Sequence, residues 1–156
     1  MDSLKQTSVV VQGIKAVLAR HQPDIILLMS GANGFDEGAR EALINAIVEH
    51  SQAHLYVATI TPQVPPRDGW EGVAAYNHSL RAQVEARRAA GQRVTMVDVN
   101  AALSTADLLT DGVHPAKEGM EKIADVWFRA LKTMLDPISS SSSQSAQATY
   151  PNSFSP

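Results

Sequence analysis

The chain has 156 residues, 44% of them hydrophobic, which fits one domain built around a single core. Thirteen Lys and Arg against sixteen Asp and Glu give a net charge of −3 without a basic stripe, which argues against a nucleic-acid partner. The absence of cysteine excludes a disulfide framework and a thiolate metal site. No apolar run approaches the roughly 20 residues of a membrane span, so we expect no membrane partner.

The first half of the chain alternates between helical and strand patterns. Residues 10–18 place apolar side chains every three or four positions, which predicts a helix ending near His21. The continuous apolar run Ile25–Met29 predicts a strand covered on both faces. A second helix is predicted over Glu37–His50, and its inward face comprises Ala42, Leu43, Ala46 and Ile47.

The second half repeats this alternation. It predicts a strand at Leu55–Ile60, a helix around Gly72–Ala90 and a third strand at Arg93–Asp98. A last helix is predicted after Pro115. Its apolar stripe comprises Met120, Ile123, Ala124, Trp127, Leu131, Met134 and Leu135.

Together these elements predict an α/β fold with a three-layer α/β/α, flavodoxin-like parallel sheet of about three strands. We expect one folded domain over residues 1–136. The segment 137–156, which contains an unbroken serine run and almost nothing to bury, is predicted to be a disordered tail. Because strand-to-helix loops of a parallel sheet emerge at one edge, the loops Ser30–Gly34 and Val99–His114 should share one face, where such folds bind ligands.

Asp111 and His114 are spaced so that a turn can bring the carboxylate to one ring nitrogen of the imidazole. The other nitrogen could then accept a proton, as in the orienter and general-base half of a Ser-His-Asp triad. Pro115 favours an extended His114 and suits the first position of a helix. The alternative interpretation is ordinary surface-turn or capping chemistry, since so short a motif has many chance occurrences.

The loop after the first predicted strand offers a complementary group. Gly31 and Gly34 permit a tight turn and a close approach to a ligand, which makes Gly31 a candidate substrate-binding position. Asn33 between them carries an amide that could stabilise an oxyanion. Asn33 and Gly34 could equally form nothing more than a favoured turn pair. Ser30 is a weak candidate nucleophile, because Leu28 stands where a nucleophile elbow has glycine.

Two stretches resemble blocks of the SGNH (GDSL-type) hydrolases and, within them, the small esterases of carbohydrate esterase family three. The segment 23–33 resembles the third block, a buried strand ending in Gly-x-Asn-Asp, and Asp111-Gly112-Val113-His114-Pro115 resembles the fifth. The resemblance spans about residues 8–135. It implies hydrolysis of carboxylic esters, with a small ester or acylated carbohydrate as substrate and no cofactor. It further implies His114 as the general base, Asp111 as its partner and Asn33 as an oxyanion-hole donor.

Two departures from that family are visible. Its Gly-Asp-Ser block, which carries the nucleophile, and the glycine that completes the oxyanion hole are not found, and Met1-Asp2-Ser3-Leu4 has no strand before it. Gly34 also replaces the usual Asp. One hypothesis is therefore the C-terminal part of a serine esterase without its nucleophile block, whose uncovered sheet edge would promote self-association. The other is a non-catalytic binding protein derived from the same fold.

The remaining polar patterns point to no further chemistry. The irregular spacing of His21, His50 and His54, all expected to face solvent, predicts no metal site. Asn77-His78-Ser79 matches the acceptor pattern for N-glycosylation, which matters only in a secreted protein. The first residues lack the features of a signal peptide, whereas the serine-rich tail suggests a secreted parent by analogy, so the sequence leaves the localisation open.

Overall fold

The computed structural model describes residues 3–67 and 69–142, with side chains described from residue 10 to residue 135 except at 68 and 134. Two short 3₁₀ turns, Asn100–Ala102 and Thr105–Asp107, lie between the last strand and the last helix. The helices and strands, in chain order, are α1 (Ser3–His21), β1 (Ile25–Met29), α2 (Glu37–His50), β2 (His54–Ala58), α3 (Gly72–Ala89), β3 (Val94–Val97) and α4 (Lys117–Ser142).

The three strands form a parallel sheet in the order β1-β2-β3, which confirms the predicted α/β fold. The two crossovers move in the same direction across the sheet. Because such crossovers are right-handed, α2 and α3 lie on the same face. The N-terminus of α2 is set by Asp36, whose carboxylate accepts a hydrogen bond from the Ala39 N–H over 2.8 Å.

Alternate residues of the central strand β2 divide the core into two halves. Leu55 and Val57 pack against Ile44 of α2 and Leu80 of α3 on one face. On the opposite face, Tyr56 and Ala58 pack beneath α4 in a cluster that also contains Val97, Val99 and Ile123. The sheet therefore has helices on both faces, as the three-layer prediction requires.

The prediction that Ile25–Met29 is covered on both faces is wrong on one side. Ile26 and Leu28 pack into the core with α1 and α2, but Leu27 and Met29 remain 48% and 47% exposed. In the described part of the chain, β1 is an edge strand whose outer side pairs with nothing. The sequence shows only that this strand is apolar. Its position in the sheet determines how much of it is covered.

Helix α4 also buries less than its predicted stripe. Ile123, Trp127 and Leu131 face the core as expected, whereas Met120 is 55% exposed and Leu135 51% exposed. Ala124 is exposed as well, and the side chain of Met134 lies outside the described ones. Helical steps of about 100° place Ala124 and Leu135 on one flank of the stripe, whereas Met120 lies near its centre, in the first turn of α4. Part of the apolar face is therefore left uncovered by the described residues.

The end of α4 differs from the predicted domain boundary. The helix continues to Ser142, six residues beyond residue 136. The rest of the predicted serine-rich tail, residues 143–156, lies outside the described residues. None of the helices in the described ranges is both long enough and apolar enough to cross a bilayer.

Candidate active site

The Asp111–His114 turn forms the contact that the sequence predicts. Oδ2 of Asp111 lies 2.6 Å from Nδ1 of His114, and Oδ1 accepts hydrogen bonds from the N–H groups of Val113 and His114 over 2.9 and 3.0 Å. The two backbone donors, together with the imidazole, lower the pKa of Asp111 to about 2. The His114 side chain is 73% exposed, and its Nε2 has no hydrogen-bond partner among the described residues. The pair can therefore accept a proton from a group that approaches from solvent.

Glycine at position 112 is required by the packing of this turn. Gly112 has φ of +72°, and a Cβ there would lie 2.2 Å from the Val64 carbonyl oxygen. The Gly112 carbonyl in turn accepts a hydrogen bond from the Val64 N–H over 2.9 Å. Inside the turn, the Leu109 N–H donates to the His114 carbonyl over 2.7 Å. The loop after β2 thus holds the turn in place.

Asp107, which our sequence reasoning missed, anchors the same turn to α4. Its carboxylate accepts hydrogen bonds from Lys122 Nζ at 2.7 and 2.8 Å and from the N–H and hydroxyl of Ser104. The bond from Lys122, first, and the backbone bond from Ser104 lower the pKa of Asp107 to about 2. The Asp107 carbonyl accepts from the Ala116 N–H over 2.7 Å. The spacing from Ser104 to Asp107, that of a capping box, was the available signal.

The Asn33 loop lies at the carboxyl end of β1, and Asn33 is exposed within it. The N–H groups of Gly34 and Phe35 donate to the Gly31 carbonyl, which closes the turn. Gly31 has φ of +115°, and a Cβ there would lie 2.1 Å from the Tyr76 hydroxyl. The close approach that Gly31 permits is therefore to Tyr76, whose hydroxyl donates to the Ser30 carbonyl over 3.0 Å.

A buried arginine, also missed, supports this loop from below. Arg40 of α2 is 3% exposed, and its guanidinium lies 4.4 Å from the centroid of the Tyr76 ring. It donates to the Tyr76 carbonyl, to Ser79 Oγ and to Gln83 Oε1 over 3.1 to 3.2 Å. Burial, above all, raises the pKa of Tyr76. Arg40 lies one turn before Ile44 on the buried face of α2, and neither residue belongs to the inward face that the sequence predicts.

The Asn77 pattern has a structural role. Asn77 is 1% exposed, and its amide accepts from the Ile60 N–H and donates to the Ile60 carbonyl over 3.0 and 3.1 Å. In the folded chain this amide is not accessible for glycosylation. It fixes the first residues of the loop that follows β2.

A cavity of about 560 Å³ opens beside the Asn33 loop. It is lined by Met29 and the residues 30–34, together with Val10, Phe35, Arg40 and Thr61. His114 does not line it, and no hydrogen bond joins His114 to Asn33 in the described structure. The two loops share the same sheet edge, as predicted, and the loop after β2 connects them.

The histidines outside the turn differ in their surroundings. His21 and His50 are exposed, but the prediction that His54 faces solvent is wrong, since it is half-buried and its Nε2 lies 2.8 Å from Thr95 Oγ1. Desolvation, followed by the charge of Arg93, lowers the pKa of His54. No group of three or more His, Asp or Glu side chains within the described ranges is placed to hold a metal ion.

Sequence comparison finds one distant curated relative. No protein-family model matches the chain. The relative is a multidomain esterase of Ruminococcus flavefaciens, 27% identical over 147 residues. The match covers 86% of this chain but only 19% of the relative, so the chain spans about a fifth of that protein's length.

The chain also superposes on solved structures, and it covers a larger share of their length than of the curated relative. A family 3 carbohydrate esterase of Clostridium thermocellum superposes with a TM-score of 0.71 at 23% identity, over 85% of this chain and 67% of that one. A carbohydrate esterase family 3 structure from Talaromyces cellulolyticus gives 0.71 at 21% identity, over 84% and 68%. A mutant acetyl esterase with an acetate ion gives 0.72 at 21% identity, over 85% and 68%. This chain thus has the α/β fold of the family 3 carbohydrate esterases.

Proposed function

We propose that this chain carries the base and one oxyanion donor of a serine esterase that hydrolyses small or acetylated-carbohydrate esters. The observation that carries the proposal is the 2.6 Å contact between Asp111 Oδ2 and His114 Nδ1, which leaves Nε2 for the reacting group. The similarity to a multidomain esterase and to family 3 carbohydrate esterases supports the ester class. The nucleophilic serine would come from polypeptide outside these 156 residues.

The proton path follows from this geometry. Nε2 of His114 would take the proton of the serine hydroxyl as the oxygen attacks the ester carbonyl, and would return it to the leaving alcohol. Asp111 would hold the Nδ1–H and stabilise the imidazolium that forms. The Asn33 amide would donate to the carbonyl oxygen as its negative charge develops. A water molecule, deprotonated by the same base, would then hydrolyse the acyl-enzyme and release the acid.

The chain offers no convincing nucleophile of its own in the described part. Ser30 lies at the carboxyl end of β1, and its carbonyl is held by the Tyr76 hydroxyl. No serine hydroxyl forms a hydrogen bond with His114 in the described ranges. Labelling by a serine-directed phosphonate, abolished by Ser30→Ala, would instead assign the nucleophile to Ser30.

The uncovered edge of β1 supports an external source for the serine. Leu27 and Met29 are about half exposed, at 48% and 47%. A further strand pairing with β1 would cover this surface and would end beside Asn33, since parallel strands end at one edge. In the isolated chain, the same edge would pair with a second copy.

The test is hydrolysis by the longer gene product. The upstream coding sequence should encode a strand followed by a Gly-Asp-Ser block. The longer protein should release acetate from p-nitrophenyl acetate and acetylated xylan, and His114→Ala should abolish turnover while an exposed control, Ala82→Ser on α3, retains it. Absence of a serine block upstream, or turnover that survives His114→Ala, would contradict the proposal.

A binding protein that has lost the chemistry is the second candidate. Gly34 favours it, because this position has glycine where the resembled family has Asp, next to the Asn33 donor. On this alternative, the chain binds acetylated xylo-oligosaccharides, affinity survives His114→Ala, and no preparation hydrolyses an ester. Calorimetric titration beside the hydrolysis assay separates the two candidates.

A further inference from the structure

One short loop contacts both halves of the candidate site. After β2 the chain buries Thr61 and Gln63, which are 5% and 3% exposed. The Gln63 side chain donates from Nε2 to the Ala32 carbonyl over 3.0 Å, one residue before Asn33. The adjacent Val64 N–H donates to the Gly112 carbonyl over 2.9 Å, inside the Asp111–His114 turn. Two consecutive residues, Gln63 and Val64, therefore hold the Asn33 loop and the Asp111–His114 turn.

The loop is itself fixed to the core, so it can set the distance between the Asn33 loop and the Asp111–His114 turn. At its start, the Thr59 hydroxyl donates to Asp98 Oδ1 and accepts from the Asn100 N–H over 3.0 and 2.8 Å. The next residue, Ile60, is held through both backbone groups by Asn77. A displacement of the Asn33 loop relative to His114 would have to break the Gln63 bond or move this anchored segment.

Only one of the two polar atoms of the Gln63 amide has a hydrogen-bond partner in the described structure. Its Nε2 is bonded to Ala32, whereas its Oε1 is buried with no hydrogen-bond partner in the described structure. A buried polar group without a partner is costly, so a residue that only filled this space would be better as an apolar side chain. The donor function towards Ala32 is what distinguishes glutamine from methionine or leucine here.

We propose that Gln63 is a positioning residue that holds the Asn33 donor loop in register with the Asp111–His114 turn. The inference rests on the proposed function, because a register between the two loops matters only if they act on one reacting group. An oxyanion donor is useful only within a few tenths of an ångström of its productive place. Gln63 neither touches the reacting atoms in this scheme nor exchanges protons.

The test is nuclear magnetic resonance of the labelled 156-residue chain, which needs no turnover. In the wild type, the Ala32 and Asn33 amides should be ordered, with order parameters of about 0.85, and should shift as His114 is titrated. In Gln63→Met the order parameters of both should fall below about 0.6 and the response to His114 should disappear. The matched control Gln92→Met, an exposed glutamine before β3, should leave both unchanged.

Each outcome decides the proposal. Unchanged order in Gln63→Met, or equal loosening in Gln92→Met, would overturn it in favour of a packing role. If Gln63→Met does not fold, the wild type decides: a scalar coupling across the hydrogen bond from Gln63 Nε2 to the Ala32 carbonyl supports the proposal, and its absence overturns it. Ester hydrolysis by the longer protein is measured separately. The positioning role of Gln63 can therefore be supported while the esterase function is refuted, or refuted while the esterase function is supported.

Discussion

The Val64 N–H donates to the Gly112 carbonyl over 2.9 Å, so the turn that carries His114 is held by the loop after β2. A surface turn with only local chemistry would need no such partner. Asp107 adds a second tie, since its carbonyl accepts from the Ala116 N–H over 2.7 Å. The Asp111–His114 pair is exposed but sits on an anchored backbone, which is the condition for a base that must meet an incoming group at a fixed place.

Gly112→Ala tests this anchoring. A side chain at φ of +72° is strained, and its Cβ would lie 2.2 Å from the Val64 oxygen, so we expect a loss of about 1–3 kcal/mol in the free energy of unfolding. The Asp111–His114 contact should weaken with it. Gly34→Ala is the matched control, because nothing lies within 4 Å of a Cβ there and we expect a change within about 0.5 kcal/mol. Equal losses in denaturant unfolding would refute the anchoring.

Stability should depend on pH through the two depressed carboxyls. Asp107 and Asp111 have pKa values of about 2 in the folded chain, against about 3.9 for an unfolded Asp. The unfolded chain therefore binds more protons between these values, so their contribution is full above about pH 4 and is lost as the pH falls to about 2. The urea midpoint should fall over this window, and Asp107→Asn should reduce the slope. An unchanged slope would show that Asp107 does not carry the effect.

Asp111→Asn tests the proposed orienting role in the longer gene product. The single amide oxygen would stay with the N–H groups of Val113 and His114, so the NH2 group would face Nδ1. The imidazole would lose its acceptor and its counter-charge. We expect kcat to fall by about 10⁴ with little change in KM. Ester turnover and the pH profile are the measurements. A variant with near-normal kcat would remove Asp111 from the mechanism.

Asn77→Ala should destabilise the fold rather than remove a glycan. It leaves the buried N–H of Ile60 without its partner, whereas the Ile60 carbonyl keeps a hydrogen bond from Asn100 Nδ2 at 3.1 Å. The loss should cost about 1–3 kcal/mol in denaturant unfolding. Protein secreted from a glycosylating host should show no glycan at Asn77 by mass spectrometry. A fully occupied site on folded protein would contradict the buried hydrogen bonds at 3.0 and 3.1 Å.

The uncovered β1 edge predicts self-association of the isolated chain. Leu27→Lys places a charge on the exposed face of this strand, which should shift sedimentation velocity profiles from oligomer to monomer without lowering the urea midpoint. Ala82→Lys on α3, an exposed site away from the edge, is the control. A wild-type chain that sediments as a monomer at high concentration would rule out the edge as a contact surface.

Local patterns were enough to predict the helices, the strands and the Asp111–His114 contact. The bounds of α2 agree with the prediction because its signals lie within the segment itself, from the Asp36 cap to the last apolar turn. Asp111 and His114 are three residues apart, so their contact depends on one turn of backbone. The parallel order followed from alternation, since consecutive parallel strands require a crossover between them.

Only the tertiary structure decided what lies opposite each surface. Arg40 and Tyr76 are 36 residues apart, and Gln63 reaches Ala32 across 31, so no local period could reveal either contact. Periodicity likewise reports that a face is apolar, whether or not another element covers it. This is why the apolar strand β1 proved to be a half-covered edge, and why Met120, in the predicted apolar stripe of α4, is exposed. Whether a surface is buried depends on elements that are distant in sequence, and only the packing of the chain brings those elements to it.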